Sequence, residues 1–575
     1  MTRRLASLSW LVGLLLLTAC VSPNPSDSPA AGPERQAGPR KSITIGVTGD
    51  AQVMGALGSS TTSGGWHTAR GVHSNGLVTT DYHSRAVVGR LAESVPAVDD
   101  QTILVLPDGT MRVTYRLRRE VTWQDGTRFT AQDLVFTHRL YSDPAIPVTG
   151  ETVARISSVE APDDYTAVFV FKEPYYEAGA LGLREFWPAP RHLLSDAYDR
   201  YLATGDPGEV LRLPYWTTQY VHLGPFRLTF FETGQGASFE AYDGYFLGRP
   251  KVDAIHVRTF GDANVLFASA LAGAVDVVAD AALPTELGVQ LKQQWEGRGE
   301  GTVYARAGVP RFLVPQFRPA VQKEPANLDV RVRAALYHAI DRDALAEKGG
   351  ELASWSALPP GHELYEATRD GFRPYRYDPD RARALLRDAG WTPGADGTLR
   401  HSSDGRKYQN AIWGTAGART WEIPVYADYW QRIGIEVEEH VIPASLVRNL
   451  EVRATYPSWE VSGTGYGDNI IGRLGDSPPA SAETRWVGSR EGYVDPTGLQ
   501  LVNRYRTSLS PSDRFQAMKA ISDHMARELP ILVTYFTTDY IGLRKGVHAL
   551  DDLAGAGAQG NLGAITRNSY LWDVP

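Results

Sequence analysis

Val113, Tyr115 and Leu117 alternate with polar neighbours, the period of two that turns one face of a strand toward a core. The following run, Trp123-Gln124-Asp125-Gly126-Thr127, carries an Asp-Gly pair suited to a tight turn. Thr130 then has Asp133 three residues on, a capping box with Asp in place of Glu, ahead of Leu134, Val135 and Leu140. The stretch predicts a strand, a turn and a helix in succession.

Three further helices carry start and stop signals. Asp378-Pro379-Asp380 supplies an N-cap, a proline at the first helical position and an early acid before Ala382, Leu385, Leu386 and Ala389, with Gly390 as the stop. Asp329 caps a helix with Val332, Leu336 and Ile340 on its inner face, ending near Asp341-Arg342-Asp343. Ser510-Pro511 opens the third, with Phe515, Met518, Ile521, Met525 and Leu529 facing inward, before Pro530 and a strand-like run from Ile531 to Phe536. Core packing accounts for each of these faces. Strands and helices intermixed along the chain predict an α/β class.

The N-terminus reads differently. Arg3 and Arg4 precede an apolar run, Leu11 to Leu17, broken only by Gly13, and Leu17-Thr18-Ala19-Cys20 follows. The run is too short for a membrane-spanning helix and reads as an export signal over residues 1–19. Small residues ahead of a cysteine resemble a bacterial lipobox, which makes Cys20 the lipidation site and the membrane a partner through that anchor. Residues 20–40, rich in Pro, Ser, Gly and Ala, cannot build a core and read as a flexible tether. Cys20 is the sole cysteine, so the exported body of this 575-residue chain depends on burying its 14 Trp, 27 Tyr and 17 Phe rather than on an internal disulfide. A formal net charge of -8 excludes the broad basic surface that nucleic acid requires.

Several blocks then occur in an order similar to the family 5 extracellular solute-binding proteins, the oligopeptide-, dipeptide- and nickel-binding lipoproteins of ABC importers. Leu91-Ala92-Glu93-Ser94, Thr114 to Arg118, Trp123 to Thr127 and Thr130 to Phe136 form the most recognisable block. Gly224-Pro225-Phe226, Tyr242 to Phe246 and Gly248-Arg249-Pro250 come next, then Ala270 to Gly273 with Val275-Asp276-Val277. Asp329 to Arg333, Ala339 to Arg342, Tyr377-Asp378-Pro379, Ala389-Gly390-Trp391 and Trp430 to Ile435 complete the series.

The resemblance implies a type II periplasmic-binding-protein fold: two α/β lobes, a discontinuous first lobe, an additional domain, and a ligand cleft between the lobes. Mapped onto this chain, lobe one comprises 41–84, 215–305 and 526–575, the additional domain 85–214, and lobe two 306–525. It also implies a monomer outside the cell, held to the membrane or in the periplasm, that passes a peptide or other small solute to permease subunits. Sugar, opine, haem and nickel-complex ligands stay open beside peptides.

Peptide-binding members pair an acid of the large lobe with the ligand's free amino group, in a pattern of Trp followed by Asp and Tyr. Here the corresponding stretch is Gly463-Thr464-Gly465-Tyr466-Gly467-Asp468-Asn469, which lacks the Trp and displaces the acid. Asp468, with Tyr466 beside it, is the candidate, and a turn role among glycines stays open for it. Trp413, Trp216, Trp187 and Trp66 lie in connecting segments where they can line the cleft or fill the core.

Other signals are weaker. Gly555 to Gly560 matches a dinucleotide fingerprint on paper but leaves no room for the rest of that unit. No HExxH, paired CxxC, Walker loop or GxSxG motif occurs, and the 13 His show no zinc spacing, so no cofactor, metal site or catalytic residue is expected. A secreted hydrolase is the rival, with Asp163-Asp164 or Asp551-Asp552 as its acids; both pairs fit turns better.

Overall fold

Two long antiparallel strands, Gly301–Pro315 and Leu532–Arg544, organise the body. At 15 and 13 residues they extend roughly 40–50 Å, two to three times an ordinary strand. That length lets one pair serve two cores. Val303, Tyr540, Ile541 and Leu543 pack in the first, and Phe312, Leu313, Val314, Leu532, Val533 and Tyr535 in the second. Between these ends the strands carry Arg306, Thr537, Thr538 and Asp539, and their register shifts between Ala307 and Pro310.

The computed structural model describes residues 40–575 except 56, 58–64, 82–85, 149–150, 184, 418, 464–466, 476 and 549–563. The export signal, Cys20 and the tether to residue 39 lie outside the described residues.

A single sheet runs through both cores. Its order is Glu436–Ile442, Gln409–Thr415, Trp459–Gly463, then the two crossing strands, then Val277–Val278, Ser42–Val47, Ala254–Thr259, Gly236–Ala241 and Phe226–Glu232. Ser42–Val47 pairs in parallel with Ala254–Thr259, Ile43 opposite Ile255, and Ile565 and Trp572 from the C-terminal end pack in the same first core. A separate antiparallel sheet of Ile103–Val105, Met111–Arg116, Thr166–Phe171 and Ile156–Asp163 packs with the helices Ala131–Tyr141 and Arg191–Thr204. Its core residues Tyr115, Leu134, Phe169 and Leu194 are continuous with the first core. The α/β class and the discontinuous first lobe are therefore present.

Local signals act where the sequence places them. Thr127 O accepts from Trp123 N at 2.7 Å across the turn whose Gly126 has φ +89°. Asp133 accepts the Thr130 amide at 2.9 Å, closing one arm of the capping box. Asp378 accepts from Arg381 N and Asp329 from Arg331 N, starting the helices Pro379–Asp388 and Val330–His338. Asp341 ends nothing by itself: it caps a new helix, Arg342–Gly349. Ser510 begins Pro511–Glu528, which closes on Leu529 at φ +46°. The strand expected over Ile531–Phe536 continues to Arg544, because Thr537, Thr538 and Asp539 interrupt the apolar run without interrupting the backbone pairing.

Trp295, on the helix Thr285–Arg298, seats the first-core end of the crossing strands. A Cβ on Gly301 would stand 2.6 Å from its Cε3, and one on Gly542 3.1 Å from its Cζ3, so these glycines make the room for the indole. Trp295→Ala leaves a cavity there and is expected to lower unfolding free energy by about 3–5 kcal/mol in urea titrations.

Candidate functional site

The segment leading toward the site begins at Gly65, whose φ of +89° and close approach to Ala279 exclude a side chain: a Cβ would lie 2.7 Å from that of Ala279. Trp66–Ala69 then forms a 3-10 turn and Arg70–His73 one helical turn. This segment hangs from the crossing strands through buried polar groups. The Thr68 hydroxyl donates to Asp280, and Asp280 also pairs with Arg306. Arg306 in turn lies 3.8 Å from Asp539 on the opposite strand. Thr566 donates to the Thr68 carbonyl, fixing the segment from the C-terminal side.

A second network spans the two cores. The Glu351 carboxylate follows the second-core helix Arg342–Gly349 and accepts at 2.8 Å from Thr285, which begins the first-core helix. It also accepts from Arg419 at 2.8 Å and from the Thr538 amide of a crossing strand. Beside it Arg311 grips Glu422 with two bonds, 3.0 and 2.5 Å, and Tyr535 donates to the same carboxylate at 2.6 Å. Burial opposes the Arg311 charge, but Glu422 outweighs it and raises the guanidinium's hold on its proton. Paired geometry of this quality is what a buried charge needs to be tolerated.

Arg70 stands in contrast. Its guanidinium carbon lies 5.4 Å from the centroid of Trp187, within cation-π range. Tyr141 donates to the Trp187 carbonyl at 3.0 Å, Tyr220 stacks on His222 at 5.7 Å, and His73 meets Tyr220 edge-on at 5.2 Å. Burial, helped by Arg70, pushes His222 down to about 3; burial, then His222 and Arg70, push His73 well below the ordinary range. Both rings are neutral at pH 7. Burial also lowers the proton affinity of Arg70, opposed only by Tyr220 and Tyr141. Arg70 is therefore a cation set among neutral rings.

The six residues picked from sequence fall in different places. Trp187 lies under the Arg70 guanidinium. Trp216 is 2% exposed and spends its indole N–H on the Val210 carbonyl at 2.8 Å; Trp66 is 7% exposed with its ring 6.3 Å from Phe231. Both occupy packing positions in the first core. Trp413 is half-buried in the second-core sheet, stacked at 4.0 Å on His440 of the neighbouring strand. Tyr466 and the side chain of Asp468 lie outside the described residues; the chain enters them from Gly463, paired with Arg311 of a crossing strand. Of the rival acids, Asp163 accepts from Tyr165 N at 2.8 Å in a turn, and Asp551-Asp552 lie outside the described residues.

Arg70, Tyr141, Tyr220 and His222 were missed. One signal existed: between Asp50 and Asp81, Arg70 is the lone Lys, Arg, Asp or Glu. A charge with no sequence neighbour to answer it is a cue, although the aromatic rings around it come from distant segments.

Residues 86–481 match the family model described as bacterial extracellular solute-binding proteins, family 5 Middle. The chain is 28% identical over 327 residues to a Brucella ovis protein named as an ABC transporter peptide-binding protein, covering 55% of this chain and 54% of that one. It thus spans about half the length of that relative. It is 25% identical over 484 residues to the oligopeptide-binding protein AppA of Bacillus subtilis, covering 80% of each. The fold matches the Thermus thermophilus oligopeptide-binding protein solved with a pentapeptide, with a TM-score of 0.69, 20% identity, and coverage of 88% of this chain and 92% of that one.

The neutral histidines give a pH dependence whose sign is fixed. A group whose folded proton affinity is depressed below that of the unfolded chain stabilises the fold above the unfolded value, about 6.5 for His, and loses that contribution as pH falls toward the folded value. His222, at about 3 when folded, accordingly costs up to about 1.4 kcal/mol per pH unit below 6.5. Urea midpoints measured between pH 7.5 and 4.5 are expected to fall, and His222→Gln to flatten that slope; an unchanged slope would refute the assignment.

Proposed function

Since the chain belongs to the bacterial extracellular solute-binding proteins of family 5, we propose that it is the lipid-anchored binding component of an ABC importer, capturing a peptide outside the cell and delivering it to permease subunits. The observation that carries this reading is the pair of crossing strands with a polar middle between two separate cores. Such a junction lets lobes rotate while each core stays packed, which is how hinge proteins enclose a solute. Closure excludes water, so a few fixed polar groups act in a low dielectric and hold the ligand without altering it. We place the change of lobe near residues 306 and 537, the additional domain at 85–214, and lobe one on either side of it and at the C-terminus.

In this reading Cys20 carries the lipid, residues 21–40 give the body reach from the membrane surface, and the protein works as a monomer. Asp468 meets the ligand's amino group from lobe two, on the segment that leaves the sheet beside Arg311. The names of the relatives support a peptide: one is an oligopeptide-binding protein and another an ABC transporter peptide-binding protein.

Protein stripped of ligand by unfolding and refolding, then offered short peptides, should gain melting temperature with peptides bearing a free amino terminus and return them with unchanged mass. Asp468→Asn should weaken those peptides about 10- to 100-fold, the worth of one charged hydrogen bond, in calorimetric titrations. Equal binding of N-acetylated peptides would remove Asp468 from the site. Recovery of cleaved products would overturn the carrier reading.

A further inference from the structure

Most arginines recessed in this fold have answers nearby. Arg311 has Glu422, Arg473 has Glu491, Arg453 has Glu460, and Arg333 gives its donors to four backbone carbonyls. Arg342, fully buried, likewise bonds Tyr337 and the carbonyls of Ser354 and Tyr375. Among the described residues Arg70 has neither kind of answer: its recorded neighbours are the Trp187 face and the Tyr220 and Tyr141 rings, with His73 and His222 beside it. A half-buried guanidinium gives up part of its hydration, and here neither an anion nor hydrogen-bond acceptors replace it. The arginines just named have such answers, whereas Arg70 stands half-buried, where a missing partner can arrive from solvent.

We propose that Arg70 is the seat for a carboxylate of the solute, so that the cargo is an acid, with the Trp187 face and the Tyr220 and Tyr141 rings packed around that end of it. This rests on the carrier reading above and narrows its substrate class. The charge count selects the anion: Trp187 and the Tyr220, Tyr141, His73 and His222 side chains that act on Arg70 are uncharged at pH 7, so a monoanion neutralises the guanidinium, whereas a phosphate monoester would leave a second negative charge without a partner. Geometry agrees, because a guanidinium presents paired donors that fit both oxygens of a carboxylate. Position makes the seat useful to closure. Arg70 stands two residues after Thr68, which is bonded to Asp280 and through it to Arg306 in the crossing strand. An anion drawn onto Arg70 therefore loads the segment tied to the junction.

The test uses the full-length mature protein, stripped of ligand, and calorimetric titration with three probe sets: short peptides and small organic acids with free carboxylates, the same compounds as primary amides, and phosphate monoesters. Wild type should bind acids about 10- to 100-fold more tightly than the matching amides, Arg70→Gln should bind the two alike, and Arg70→Lys should recover part of the preference. Because Arg70 holds up no described neighbour through a hydrogen bond, the ligand-free Arg70→Gln protein should melt no lower than wild type. A lower melting point in that state would show that Arg70 is a packing residue and overturn the proposal. Acids and amides bound equally by wild type would overturn it too, as would preference for phosphate monoesters or binding of uncharged members only; these leave the carrier reading standing. If no probe binds and the compound that copurifies with the protein is found chemically converted, both readings fail.

Discussion

The structure depends on how two strands cross from one hydrophobic core to another without belonging to either at the crossing point. A fully apolar crossing would weld the cores into one, and an unpaired polar crossing would be unaffordable. The solution here is an ion cluster, Arg306 between Asp280 and Asp539, with Thr68 on Asp280 and the Thr537 hydroxyl accepting the Val309 amide at 2.9 Å. Charges so placed demand their partners, which fixes the register of the junction, yet they contribute little of the interlocking side-chain volume that makes a core rigid. Gly308 and the shift of register beside it remove further bulk from the same place.

That constraint explains where the site residues stand. The segment carrying Arg70 is bonded to Asp280 on one side of the junction, while Glu351 ties the second lobe to Thr285 and to the Thr538 amide on the other. At the junction, Asp280 and Glu351 add a carboxylate link to the crossing strands from each side. Each carboxylate accepts from groups on at least two elements, so a shift of either lobe changes several hydrogen bonds together. Tyr176 also joins the two cores: it lies against both, its amide bonds the Arg506 carbonyl at 2.9 Å, and its ring sits 5.0 Å from Tyr505 of the second core.

Much of the fold was legible in the sequence because its signals are local. Asp329, Asp378 and Ser510 announce helix starts within a few residues, and the Asp-Gly turn and the Thr130 box need no knowledge of the rest of the chain. The crossing strand was half legible. Ile531 to Phe536 reads as apolar, and the expected strand stops short of the polar Thr537 to Asp539, since the carboxylate and arginine that accommodate them come from at least 187 residues away. The same reason separates the tryptophans. Trp216 follows Pro214 and Trp187 precedes Pro188 in sequence, and only tertiary packing puts one inside the core with its donor spent and the other against a lone guanidinium. Isolation of Arg70 among uncharged residues was visible from the start; its burial was not.

The account stands on closure about the crossing strands. Small-angle X-ray scattering of the mature protein, first stripped of its copurified solute and then reloaded with it at the same ionic strength, measures that directly. A larger radius of gyration in the stripped protein, reversed on reloading, is the expected result. An identical radius in both states, with binding of the solute verified in the same samples, would contradict it.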